Sequence, residues 1–92
     1  MTLLQNNYTV GTTSVQVDPP SNVVNSFTAI IQNNHASNIV YVGNSSAVTS
    51  SSFGVQLAAG ASVSLDDLRP TDQIWVIASA ASTPVSAFTI QR

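Results

Sequence analysis

Few residues in this chain are equipped for acid–base or nucleophilic chemistry. Histidine occurs once, as His35 in the segment NNHASN, and cysteine does not occur. A serine nucleophile needs a base within hydrogen-bond reach and a third group to orient that base. With fourteen serines in the chain, a serine near His35 is expected from abundance alone. No Gly-x-Ser-x-Gly elbow is present. His35 therefore reads as a solvent-exposed turn residue, and the chain as a non-enzyme with no cofactor. Asp66, Asp67 and Asp72 offer carboxylate oxygens of the kind calcium takes. Their spacing fits no EF-hand loop, and Arg69 stands among them. Asp66 or Asp67 reads instead as a turn cap, with an exposed Arg69–Asp pair worth ~0–1 kcal/mol. Trp75, Tyr41 and Tyr8 have the flat apolar rings with polar edges that stack on sugars. Trp75 lies mid-strand between Ile74 and Val76, which favours packing over ligand contact.

The elements that carry these residues read as strands. No segment of ten residues holds a helical apolar stripe. Short β-branched runs are separated instead by Gly, Pro, Asn and Ser. Strands are predicted at 8–17, 26–32, 38–42, 62–65, 73–79 and 85–91, with a shorter one at 55–58. The fold class is all-β: a small antiparallel sandwich or flattened barrel of about seven strands. Residues 1–92 form a single domain, with residues 1–7 as an extended N-terminal arm.

Strand alternation assigns faces. Val63 and Leu65 oppose Ser62 and Ser64. Phe27, Ala29 and Ile31 oppose Thr28 and Ile30, and Ile74, Val76 and Ala78 oppose Trp75 and Ile77. The last two strands are apolar on both faces, which predicts cover by the core on one side and by another subunit on the other. In the first strand Tyr8 and Val10 have one parity and Val15 and Val17 the other, so a bulge or bend is expected near Gly11 and Thr12. Pro19 and Pro20 then end it. LAAGAS reads as a tight reversal with Gly60 at positive φ. LDDLRPTDQ reads as a connection with a helical turn begun at Asp66, and SAASTP as a hairpin loop. GNSSAVTSSSFG, residues 43–54, resembles a linker, but its flanks are too small to be separate domains. Val48 and Phe53 predict an ordered loop in which these two side chains touch the core and hydroxyls satisfy the backbone.

Charge narrows the class of partner. Charged residues are 7% of the 92, with no Lys and no Glu, and the hydrophobic fraction is 43%, largely Val and Ala. An average soluble domain carries about 25% charge. Two arginines make no nucleic-acid footprint and no contact patch for anionic membranes. MTLLQNN has no basic start and does not read as a signal peptide. No apolar run reaches the ~18 residues of a membrane span. A surface of Ser, Thr, Asn and Gln desolvates at less cost than a charged one, so contact with partner proteins, copies of this chain included, is expected.

The run IVYVGNSSAVTSSSFGVQLAAGASVSLDDL followed by QIWVIASAASTPVSAFTIQ resembles small β-rich virion proteins of tailed bacteriophages, including head decoration or cement proteins. The resemblance spans residues 27–91. It implies a structural part of the phage particle, made in the bacterial host cytoplasm and located in the virion. The implied partners are the major capsid protein, or other virion proteins, and sister copies in a homotrimer. Leu3 and Leu4 of the arm, Phe27 and Ile30, and Trp75 and Ile77 are the expected interface residues. The alternative is a receptor- or glycan-binding module of a tail fibre or adhesin, gripping a surface sugar through exposed aromatics.

Overall fold

The computed structural model describes residues 2–18, 26–69 and 71–91. Eight strands follow one another: β1 (Thr2–Val10), β2 (Val15–Val17), β3 (Phe27–Asn33), β4 (Val40–Gly43), β5 (Val55–Leu57), β6 (Ser62–Leu68), β7 (Ile74–Ala78) and β8 (Thr83–Gln91). They build two antiparallel four-stranded sheets, ordered β1-β8-β3-β6 and β2-β7-β4-β5. The pairing is nested. Thr2 faces Gln91, Val15 faces Val76, Ile31 faces Val63 and Val40 faces Leu57. The chain is thus one long two-stranded ribbon with its tip at residues 44–54. Rolling the ribbon brings β8 onto β3 and β7 onto β4. An eight-stranded antiparallel sandwich rolled in this way is a jelly roll.

The inward residues of both sheets make one core. Phe27 and Ile31 from β3, Val40 and Val42 from β4, Val76 from β7 and Val85 from β8 are all buried. Most are β-branched, stiff in χ1 and suited to a pleated surface. Phe27 therefore belongs to the core, at 2% exposure, and is not available to a neighbour as the sequence suggested.

Several local readings change for identifiable reasons. The parity switch between Tyr8–Val10 and Val15–Val17 is met by the bend, at Thr12 and Thr13, and not by a bulge: the chain leaves one sheet at Gly11 and enters the other at Val15. The Gly11 carbonyl accepts from the Ala78 N–H across that crossing. SAASTP is no hairpin loop, since β7 and β8 lie in different sheets and the segment carries the return crossing. Residues 2–7 are no free arm. All of β1 pairs with β8, because its apolar–polar alternation fits the sheet edge. Strand β6 runs on to Leu68 instead of turning helical at Asp66. An extra residue there places Asp66 and Asp67 opposite Thr28, and the bulge lets Leu65 and Leu68 face the core together. Asp67 takes φ 57°, a left-handed conformation that Asp tolerates better than most residues. The strand ending read at Pro19 and Pro20 lies outside the described residues.

At one end of the sandwich Asn33 is fully buried. Its Nδ2 lies within hydrogen-bond distance of the carbonyls of Asn38 (2.8 Å), Leu57 (3.1 Å) and Ala58 (3.2 Å). Its Oδ1 accepts from the His35 N–H at 3.0 Å. Its backbone N–H donates to Ala61, and its carbonyl accepts from Gly60. Gly60 sits at φ 77°, as the third residue of a type II turn requires. Asn33→Ala should cost roughly 2–4 kcal/mol, since buried carbonyls lose their donor. A urea midpoint within error of wild type would contradict this placement. Asn33→Asp, acceptor-only when ionised, should be worse than Ala.

Candidate functional site

His35, Asp66 and Asp72 each hold backbone or side-chain groups of the fold. His35 is half-buried, not fully exposed as its turn position suggested. Its Nδ1 accepts backbone N–H groups from Ser37 (2.9 Å) and Asn38 (2.8 Å). The basic lone pair of the ring therefore closes the 34–38 turn, and the Ser37 hydroxyl stands 3.5 Å from that same nitrogen. Asp66 accepts from the Thr28 hydroxyl at 3.1 Å. Asp72 accepts the Arg69 backbone N–H at 2.7 Å, and its own N–H returns to the Arg69 carbonyl, so it caps the 69–72 turn. Turn capping in this stretch thus belongs to Asp72 rather than to Asp66 or Asp67. Among the described residues no three His, Asp or Glu side chains gather as metal ligands do.

Tyr8 points to the core side of β1 and packs against the core. Its hydroxyl accepts the Asp18 N–H at 3.0 Å and lies 3.3 Å from the Asp18 carboxylate. Burial raises its pKa above the usual 10.0, and the Asp18 carboxylate pushes the same way, while the Asp18 N–H lowers it. Tyr8 is therefore not part of an aromatic platform with Trp75.

The outward faces are where the unassigned apolar side chains collect. On the β2-β7-β4-β5 sheet, Trp75, Ile77 and Tyr41 alternate with buried neighbours and are half-buried. Tyr41 stands opposite Ile77, and Trp75 opposite Gly43. Phe53 from the ribbon tip packs against Tyr41 with ring centroids 4.9 Å apart and the ring planes tilted by 45°. The Trp75 Nε1–H donates to the Gln73 side-chain oxygen at 3.0 Å. On the β1-β8-β3-β6 sheet, Leu3 faces Ile90, Ile90 faces Thr28, and Phe88 faces Ile30. Leu3 is 56% exposed and Phe88 37%. Ile30 and Ile90 are half-buried, and Leu4 lies half-buried on the opposite, inner side of β1. Phe88 and Ile90 escaped the sequence reading. Their signal was the size inversion along β8, where small Ala87 and Thr89 face in and the large residues face out.

The serine-rich tip is ordered by its own backbone and hydroxyls. Val48 is buried and packs on Gly43, where an added Cβ would lie 2.7 Å from two Val48 carbons. The Thr49 hydroxyl accepts from the N–H groups of Ser51 and Ser52, and Ser45 accepts from Ala47. Phe53, at 40% exposure, covers Tyr41 and is not buried. An open groove of about 620 Å³ runs between this tip and the 69–73 connection. Phe53, Val55, Leu65 and Leu68 are among its walls, and its polar residues include Asp72 and Gln73, already committed to Arg69 and Trp75.

No family model and no curated protein matches the sequence. The fold is similar to a chain of Bacillus endospore appendages, described as a novel family of disulfide-linked pili. The TM-score is 0.59 over 98% of this chain and 85% of that one, at 10% identity. Such a likeness shows a common fold, and this chain has no cysteine with which to form disulfides.

Two measurements check these placements. Gly43→Ala should destabilise the fold by roughly 1–3 kcal/mol, because Val48 must shift to admit the methyl group. For Tyr8, the folded pKa lies above the unfolded one. The stability it contributes is then complete below pH 10 and lost as pH climbs through the folded value. Denaturant midpoints of wild type should accordingly fall above pH 10 more steeply than those of Tyr8→Phe.

Proposed function

We propose that this chain is a non-enzymatic structural subunit that works by being covered. Its finer role is decoration of a bacteriophage head, where it binds coat subunits and stabilises the shell. The carrying observation is the pair of outward sheet faces with their large apolar side chains: Leu3, Phe88, Ile90 and Ile30 on one, Trp75, Ile77 and Tyr41 on the other. With charge at 7% of residues, these faces are framed mainly by neutral hydroxyls and amides. Burying about 400 Å² of such apolar surface is worth about 10 kcal/mol before the cost of association, itself ~4–15 kcal/mol. Single contacts of that net size are weak alone and sufficient on a lattice, where many act together.

A second reading rests on the tilted Tyr41–Phe53 pair beside Trp75, which offers aromatic rings of the kind that bind surface sugars. The two readings separate in one experiment. Wild-type protein should co-sediment with phage heads, and Leu3→Ser with Phe88→Ser, at the two most exposed apolar positions of that face, should abolish this while leaving the melting temperature within a few degrees. Failure to bind heads, together with a Trp75 fluorescence shift on adding cell-surface glycans, would replace decoration by glycan recognition.

A further inference from the structure

Each sheet ends in two edge strands, and three of the four are blunted. Strands β2 and β5 are three residues long. Strand β6 carries Asp66 and Asp67 and is broken by the bulge, with Asp67 in a left-handed conformation. Short length, charge and bulges are the devices that stop a sheet edge from pairing with another chain. Strand β1 has none of them. It is nine residues long, TLLQNNYTV, without charge or proline. It pairs residue for residue with β8 and no register shift, which leaves a straight ladder edge on its other side. Among the described residues nothing pairs with that edge.

We propose that β1 is a self-association strand that joins two copies of this chain edge to edge, antiparallel across a two-fold axis at Asn6. An unpaired ladder edge is matched by another extended backbone, and the identity of that backbone follows from β1 itself. Faces must agree across the junction, inward residues beside inward residues, so residue i can pair only with residues of its own parity. Centring on Asn6 satisfies this and engages all nine residues. Any other register of matching parity pairs seven or fewer. In the full register Leu4 meets Tyr8 of the second copy on the inner side, and Gln5 meets Asn7 on the outer side. Aliphatic–aromatic and amide–amide cross-strand pairs are both favourable, and no like charges oppose one another. A three-fold ring, the symmetry that the phage resemblance implies, needs a head-to-tail contact between β1 and a different surface. The other three edges are not built to supply it. The dimer forms one continuous eight-stranded sheet, and the Leu3, Phe88, Ile90 and Ile30 patches of both copies lie on the same side of it.

The inference is independent of what those patches bind, so mass in solution tests it apart from head binding. Wild-type protein should show twice the 9.6 kDa chain mass by light scattering, in a concentration-dependent equilibrium. Gln5→Lys with Asn7→Lys changes two exposed side chains and sets lysines opposite lysines, and should weaken association at least about tenfold with an unchanged circular dichroism spectrum. Asn6→Cys places two thiols across the axis in a chain otherwise free of cysteine, and mild oxidation should cross-link it. Thr9→Cys, facing Leu3 of the second copy, should stay unlinked. A wild-type monomer at millimolar concentration overturns the proposal, as does a double-lysine variant that dimerises like wild type. Equal cross-linking of the two cysteine variants overturns the register.

Discussion

The side-chain amide of Asn33 is the fixed point around which the sandwich closes. A buried amide must find partners for its hydrogens and its oxygen, and an unmet one costs as much as a packing defect. Asn33 finds them in three separate pieces of chain: the 34–38 turn, the end of β5 and the turn before β6. Because β5 belongs to one sheet and β3 to the other, the same side chain stitches the two layers together at that end. The type II turn at Gly60 is held against it through two backbone hydrogen bonds. His35 completes the arrangement from outside, its ring nitrogen taking up the N–H groups of the turn that Asn33 begins. A core of valines and alanines is non-directional and tolerates small slips. The amide tolerates few, so it specifies register where the apolar contacts cannot.

A chain with so little charge distributes its polarity unusually. Hydroxyls and amides are spent on backbone groups within loops, as at Thr49, Ser45 and Thr83. The outward strand positions are then left to whichever side chain the alternation delivers, and in β8, β3 and β7 it delivers Phe88, Ile90, Ile30, Trp75 and Ile77. In most small domains lysine and glutamate occupy such positions and keep neighbours apart. Here nothing of that kind does.

Period-two alternation made much of the architecture legible. Val63 against Ser64, and Ile74 against Trp75, announce strands and their faces, and Gly60 announces its turn. The apolar anchors Val48 and Phe53 rightly mark the serine-rich stretch as folded. The assignment of strands to sheets was not legible. A parity switch at Gly11 is compatible with a bulge within one sheet or a crossing between two, and only the partner strands decide. The same ambiguity turned SAASTP into an apparent hairpin. Asp66 and Asp67 looked like a helix start because local preference for caps and turns is strong, whereas the bulge that accommodates them depends on Thr28, far away in sequence. Asn33 gave no signal at all, since a buried asparagine reads as a turn residue when its partners are unknown. Phe27 was assigned to a neighbour for a related reason: alternation shows that a strand has two apolar faces without saying which one is inner.

The position of β8 between β1 and β3 has a consequence for how this protein comes into being. The ribosome makes β8 after every other strand, yet it is the central pairing partner that turns β1 and β3 into neighbours. Until it emerges, the first and third strands have no lateral support between them, although the β2–β7, β3–β6 and β4–β5 pairs can already close. Assembly of the first sheet therefore waits for β8 and proceeds by closing the long loop between β1 and β8, a slow step for any β topology. During that interval an uncharged β1 is exposed along both edges, and timely capture by its own C-terminal strand decides between folding and clumping.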